Sequence, residues 1–459
     1  MSDFNVDFKS GFPAHLFKSY DIRGIVDTDL TDALVALVGA GVVDVTAAKS
    51  VVIGEDVRAS SKRFADVLSA AVRAAGANVI RLGLCGTEEV YHGVAQHAAG
   101  AGIMVTASHN PIEYNGLKIV RAEAKPFSAE GDMPKLKAFC AARWGDFSVG
   151  EPVGSERYFE DKSNYIEKLL SFVDAAELKP LKVVVNAGNG CAGPAWDALA
   201  ARLPFEVVRV HHAPDGNFPN GIPNPILVEN RAVTADAVVA AGADFGVAWD
   251  GDFDRCFLFD DKGEFVSNYY LMGILAKALL ADEAGGTVVQ DIRQQWDTTA
   301  VITEAGGQAA FSKVGHGHYK KVMRAHNAIM GGEVSGHFYF RDFHFCDSGM
   351  VPVLLVAAML SAHAEKLSDV VSARRELYPS SEEINQPLKG NTQDTLEKIR
   401  SYYKDLGGEI DVLDGVSVAF EDWRFNVRPS ANEPLLRLNL EAKSEALVAA
   451  KLAEVLGLI

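Results

Sequence analysis

Residues 51–80, VVIGEDVRASSKRFADVLSAAVRAAGANVI, hold one complete strand–helix–strand unit. Val51-Val52-Ile53-Gly54 is a short β-branched run that suits a buried strand, and Glu55 to Ser60 is a polar loop. Phe64, Val67, Leu68, Ala71 and Val72 then fall at i, i+3, i+4, i+7 and i+8, which is one face of a helix. Gly76 is a helix stop, and Asn78-Val79-Ile80 begins the next strand. Alternation of this kind predicts an α/β fold with a largely parallel or mixed sheet.

The unit recurs. Lys182 to Asn186 leads through a Gly-rich loop and a helix to Phe205–Val210, and Thr287 to Asp291 leads through a helix to Ala309-Ala310-Phe311. Each unit is followed by a further strand ending in a polar, Gly-bearing loop: GIMVTASHNP (102–111), DFGVAWDGDFDR (244–255) and AIMGGEVSGH (328–337). The reading is three related mixed-sheet α/β domains in tandem. Beyond Pro379 and the polar Ser380-Ser381-Glu382-Glu383 linker, Leu436, Leu438 and Leu440 alternate with Arg437 and Asn439, as in a half-buried strand. Leu447, Val448, Leu452, Val455 and Leu456 make a helical stripe behind a candidate N-cap, Ser444. A smaller C-terminal α+β domain is expected, with divisions at 1–157, 158–258, 259–375 and 376–459.

Composition narrows the function classes. The chain has 459 residues, 48% hydrophobic and 23% charged, an ordinary globular balance that needs no disulfide or metal staples. Its net charge of −17 argues against general nucleic-acid binding, which needs a basic stripe. The longest apolar stretch, Val351 to Leu360, is about half a membrane span, and the acidic start lacks a signal-peptide pattern. Five scattered cysteines without a Cys-x-x-Cys fit buried thiols in a reducing cytoplasm.

Four loops carry the chemistry. In Thr106-Ala107-Ser108-His109-Asn110-Pro111 a serine in a tight polar turn is a candidate nucleophile, although alone this is also an ordinary Asn-Pro turn. In Asp250-Gly251-Asp252-Phe253-Asp254-Arg255 three carboxylates at alternate positions can converge on one hard cation, and Mg²⁺ suits them. In Gly331-Gly332-Glu333-Val334-Ser335-Gly336-His337 a Glu and a Ser two apart can read neighbouring sugar hydroxyls. Lys313-Val314-Gly315-His316 lies nearby, and a loop histidine is by itself a weak signal. In Arg424-Phe425-Asn426-Val427-Arg428-Pro429-Ser430-Ala431-Asn432-Glu433-Pro434 an arginine with Ser and Asn donors can cradle a phosphate, or form a charged hairpin. One loop per expected domain, the four together call for phosphoryl transfer on a polyhydroxylated substrate.

TASHNP, DGDFDR, GEVSGH and RPSANEP, in this order, resemble the α-D-phosphohexomutases, above all the bacterial phosphomannomutase/phosphoglucomutase group. The segments at 20–24, 86–91 and 214–219 are similar to that group too. The resemblance implies four domains around a central cleft. It implies a phosphoryl group on Ser108, and Mg²⁺ held by Asp250, Asp252, Asp254 and a phosphoserine oxygen. Transfer to a mannose or glucose 1- or 6-phosphate would give a hexose 1,6-bisphosphate, which turns around and returns its other phosphate.

By the same resemblance Arg23, Lys118 and Arg255 lie near the transferring phosphate, His109 adjoins the nucleophile, and Lys118 or a nearby histidine is the acid/base. Glu333 and Ser335 read hydroxyls, with His316, Arg293, His337 and Lys313 positioning the substrate. Arg428, Ser430 and Asn432, with Arg424, hold the non-reacting phosphate. The partner is then a small phosphosugar, with no nucleic acid or membrane, and the assembly a monomer or homodimer. One departure stands out. The family's fourth loop usually reads Arg-x-Ser-Asn-Thr-Glu-Pro or has Gly before the Thr, so Ala431-Asn432 predicts altered substrate affinity rather than lost function. The rivals are a Mg²⁺-dependent phosphatase with an aspartyl nucleophile, a silent sugar-phosphate binder and a phosphoglucosamine mutase.

Overall fold

A computed structural model describes residues 11–388, 390–430 and 435–459. Asn432 and its neighbours at 431–434 lie outside the described residues. The quoted segment folds as read. Ser50–Glu55 and Asn78–Leu84 are parallel neighbours joined by helix Ser61–Ala74, whose Phe64, Val67, Leu68, Ala71 and Val72 are all buried.

The repeat is closer than alternation alone implies. In each of the first three units a first strand pairs in parallel with a second on one side and a third on the other, and the third pairs antiparallel with a fourth. The first strands are Ser50–Glu55, Lys182–Asn186 and Thr287–Asp291, and the second are Asn78–Leu84, Glu206–Val210 and Gln308–Ser312. The third strands are Ala101–Val105, Phe245–Trp249 and Met330–Gly332. The fourth are Tyr114–Arg121, Cys256–Phe259 and Phe338–Phe340. Unit one adds an edge strand, Asp21–Ile25, antiparallel to Tyr114–Arg121 and in register with Asp21 opposite Lys118.

The C-terminal unit is an antiparallel five-stranded sheet in the order Ile384–Pro387, Leu435–Ala442, Trp423–Pro429, Val416–Ala419, Glu409–Asp411. Helix Glu445–Leu456 starts where expected, with Ser444 Oγ accepting from the Leu447 amide at 3.3 Å. Strand Leu435–Ala442 departs from the half-buried expectation. Leu436, Leu438 and Leu440 are buried, but so are Asn439 and Glu441, and Glu441 is capped by Tyr269 and the Gln295 amide of the third unit. Val351–Ala362 is a helix buried in the core, and among the described residues no single helix is long and apolar enough to cross a membrane. All five cysteines are free and buried.

Candidate active site

The three functional loops of the α/β units occupy one topological position, the hairpin between third and fourth strands. Residues 106–113, 250–255 and 333–337 leave the carboxyl ends of parallel strands, where open α/β sheets bind ligands. The fourth loop joins Trp423–Pro429 to Leu435–Ala442.

Ser108 is buried and has φ +50°, a left-handed conformation that costs a non-glycine residue about 1–3 kcal/mol. Its amide donates to Thr106 Oγ1 at 2.9 Å, and its hydroxyl donates to Asp250 Oδ2 at 2.5 Å. His109 Nδ1 is 3.0 Å from the same hydroxyl, and the Arg255 guanidinium donates to it at 3.2 Å. Gly251 lets the two loops meet backbone to backbone, since a Cβ there would fall 2.7 Å from the Ser108 carbonyl oxygen. Arg255 also donates to Asp250 Oδ2 from Nε at 3.0 Å.

Asp252 Oδ2 accepts from Lys118 Nζ at 2.6 Å and from Thr87 Oγ1 at 2.5 Å, while Asp254 Oδ2 accepts from Lys118 as well. Ligand atoms of Asp250, Asp252 and Asp254 lie within 4.8 Å of one another, and Oδ1 of both Asp252 and Asp254 is buried without a hydrogen-bond partner. Two orphaned carboxylate oxygens in a ring of three acids are the donor set a hard divalent cation needs. Burial and the neighbouring Asp252 push Asp254 up to about 6. Burial opposes the charge on Lys118, but Asp252 and Asp254 outweigh it and hold the ammonium well above its usual range. His109 moves the other way: burial, then Arg255 and Arg23, hold its imidazole well below the usual value. Arg23 donates from Nε to Asp21 at 2.7 Å and also to Asn110 of the serine loop.

The third loop joins this centre through His337, whose Nδ1 is 2.9 Å from Asp347 Oδ2 and 3.9 Å from Asp254 Oδ1. Burial lowers its basicity, but Asp254 and Asp347 more than restore it, so the His337 value is raised. Glu333 accepts from Tyr339 at 2.5 Å and from the Gly315 amide at 3.1 Å, with Ser335 Oγ 3.5 Å away. The His316 ring centroid lies 6.5 Å from that of His337, and burial followed by Lys320 depresses the His316 value.

Two expected ligands have other partners. Arg424 is buried, donating to Glu441 Oε1 at 2.6 Å and to the carbonyls of Ile292 and Arg293, so it ties the fourth unit to the third instead of offering itself to a phosphate. Arg293 is engaged by Asp291 at 2.6 Å and Glu383 at 3.0 Å, and lies 3.9 Å from Glu333. It braces the sugar loop and the linker. Lys313 is exposed, while the buried Arg428 sits 3.6 Å from Glu383, and the Ser430 amide donates to the Leu435 carbonyl.

Asp347 and Arg58 carry no role in the sequence reading, and Thr87 enters it only as part of the 86–91 segment. Arg58 stands in the 55–60 connecting loop, and its guanidinium donates to the carbonyls of Ser108, Asn110, Pro111 and Tyr114. A charged residue two positions after a strand-end aspartate was the available signal.

Comparison with known proteins follows the same four-part division. Residues 14–138, 163–263 and 267–378 match the phosphoglucomutase/phosphomannomutase alpha/beta/alpha domains I, II and III, and residues 383–458 match the C-terminal domain of that family. The chain is 49% identical over 430 residues to a protein of Xanthomonas campestris pv. campestris named for phosphohexose mutases, covering 94% of this chain and 95% of the relative. It is 43% identical over 436 residues to the phosphomannomutase of Salmonella typhimurium, again covering 94% and 95%. A crystal structure of a phosphoglucomutase/phosphomannomutase family protein from Burkholderia thailandensis superposes with a TM-score of 0.85 at 27% identity, covering 97% of this chain and 98% of that one.

Proposed function

The chain belongs to the phosphoglucomutase/phosphomannomutase family of phosphohexomutases, and on that premise we propose that Ser108 carries the phosphoryl group moved between the 1- and 6-positions of a hexose phosphate. The intramolecular phosphotransfer is the family's activity; the assignment to residues is ours. The observation that carries it is the Ser108 hydroxyl held 2.5 Å from Asp250 with Arg255 3.2 Å away, beside two orphaned aspartate oxygens.

Asp250, Asp252 and Asp254 would hold Mg²⁺, which when bound neutralises charge on the transferring phosphoryl group. This chain's residues do the rest. Arg255 and Lys118 present fixed cations where charge develops, and Lys118 Nζ, 2.6 Å from Asp252, is the candidate acid/base. His109 Nδ1 accepts from the Arg255 guanidinium and lies 3.0 Å from the Ser108 hydroxyl, and Arg23 anchors the serine loop. Glu333 and Ser335 read hydroxyls in either orientation of a hexose 1,6-bisphosphate, with His337 and His316 beside them. Arg428 and Ser430, with Asn432, hold the phosphate that is not reacting. Each loop belongs to its own sheet, but the expected divisions after residues 157, 258 and 375 fall inside strand Glu156–Tyr158, strand Cys256–Phe259 and helix Leu367–Leu377, and Phe265–Val266 still belongs to the second sheet. A cytoplasmic monomer or homodimer completes the proposal, and the buried free thiols support the reducing compartment.

Phosphorus NMR of mannose 6-phosphate with enzyme, Mg²⁺ and a trace of hexose 1,6-bisphosphate tests it, with glucose phosphate as the second substrate. An anomeric 1-phosphate signal that Ser108→Ala abolishes is expected, a loss of at least about 10⁴-fold. Inorganic phosphate released regardless of Ser108 would sink the reading in favour of an aspartyl phosphatase.

A further inference from the structure

Within its own turn the φ +50° serine has little backbone support: Thr106 Oγ1 accepts the Ser108 amide, the Ala107 carbonyl accepts the Asn110 amide, and the Ser108 hydroxyl lies 3.0 Å from His109 Nδ1. Arg23 reaches Asn110 from the edge strand, and the carbonyls of the turn are held from the loop after the neighbouring parallel strand Ser50–Glu55. Arg58, 4% exposed, donates from one terminal nitrogen to the carbonyls of Ser108 at 3.0 Å and Asn110 at 2.6 Å. From the other it donates to Pro111 at 2.8 Å and Tyr114 at 3.0 Å. A guanidinium is planar with donors in a fixed fork, so four acceptors fixed to it are fixed to one another.

The fork is itself held. Buried Asp56 lies 3.5 Å from Arg58 Nε, accepts the Arg58 amide at 2.9 Å, and takes the Ser61 hydroxyl at 2.5 Å. The second unit closes the site from above. The Phe218 ring centroid is 5.4 Å from the guanidinium carbon, and Gly216 runs so close that a Cβ would fall 2.0 Å from the Val57 carbonyl oxygen. We propose that Arg58 is a positioning residue for the Ser108 nucleophile, fixing the turn that aims its hydroxyl at Asp250 and coupling that aim to the 214–223 loop of the second unit. The inference rests on Ser108 being the phosphoryl carrier. Arg58 touches no reacting atom. It acts through the backbone, so it governs the transfer step and not the grip on the sugar.

The test loads dephosphorylated enzyme with glucose 1,6-bisphosphate and follows Ser108 phosphorylation by intact-protein mass spectrometry, alongside steady-state kinetics on mannose 6-phosphate. Wild-type enzyme that takes no phosphoryl group at Ser108 overturns the nucleophile assignment and, with it, this inference. Given loading in wild type, Arg58→Ala should load about 100-fold more slowly, the scale of a misplaced reacting group, with KM within about threefold. Millimolar methylguanidinium should restore part of the rate, because the vacated site still presents four carbonyls and Asp56. Loading at the wild-type rate, or a loss shared by kcat and KM that methylguanidinium leaves untouched, overturns the proposal. Should Arg58→Ala fail to fold, Phe218→Leu decides: loading about tenfold slower with KM unchanged supports the coupling, and an unchanged rate overturns it.

Discussion

Arg424 and Arg428 stand four residues apart on one strand, both buried, and their partners give them different consequences. Arg424 is spent on Glu441 and two carbonyls of the third unit, so Arg424→Ala would strand a buried carboxylate at a cost of about 3–5 kcal/mol. Arg428 meets Glu383 at 3.6 Å beside the hairpin end proposed to hold phosphate. Its replacement by alanine should raise KM for the sugar phosphate about 10- to 100-fold, the value of a charged hydrogen bond, with a small change in Tm. Thermal melts and kinetics of the two variants should therefore give opposite profiles. A KM effect from Arg424→Ala matching that of Arg428→Ala would restore Arg424 to the phosphate site. Nothing in the segment RFNVRP distinguishes the two arginines, because the distinction lies in Glu441 and in the carbonyls at 292–293, which belong to other elements.

The hairpins between third and fourth strands carry the proposed site, and the sequence marks them because their chemistry is local. An apolar strand ending in Ser-His-Asn or in three alternating aspartates announces a polar turn whatever the rest of the sheet does. Sheet order was not legible: placing the third strand on the far side of the first is set by long-range packing, as is Asp21–Ile25 returning beside Lys118. Strand Leu435–Ala442 shows the same limit, since its alternation predicts one wet face, whereas Asn439 and Glu441 are buried and the third unit engages Glu441. The 250–255 hairpin yields a prediction of its own. Its acids repel one another and two of their oxygens lack partners, so a divalent cation that binds only the folded loop must stabilise it. Chelator-treated protein given Mg²⁺ at about 100 times its Kd should gain about 2.7 kcal/mol. Asp252→Asn should remove most of that gain in a thermal-shift titration, and a wild-type melt indifferent to Mg²⁺ would rule the metal site out.

On the scale of the whole molecule, the apolar core is divided unequally. One buried cluster draws on the first three units together, from Val52 and Val90 through Val183 and Trp249 to Met330 and Val371. The C-terminal unit keeps a separate core, Leu396, Ile399, Tyr403, Phe425, Leu438 and their neighbours, all beyond residue 383. It meets the third unit through a polar seam: Glu441 accepts from Tyr269 at 2.5 Å and from the Gln295 amide at 2.8 Å, Arg293 donates to Glu383 at 3.0 Å, and Asp414 accepts the Val314 amide at 2.8 Å. Apolar cores unfold cooperatively, whereas polar seams between domains permit relative motion. The first three units should thus melt as one body and the fourth as another, giving two calorimetric transitions for the intact chain. On the proposed assignment, a sugar phosphate held by Arg428 on one side and by Glu333 and the serine loop on the other would bridge the two bodies. At saturation it should raise the lower transition toward the upper and contract the molecule in small-angle scattering, with Arg428→Ala abolishing both effects. A single transition that substrate shifts without any contraction would mean the seam is rigid, and the cleft must then admit and turn the bisphosphate without the fourth unit moving.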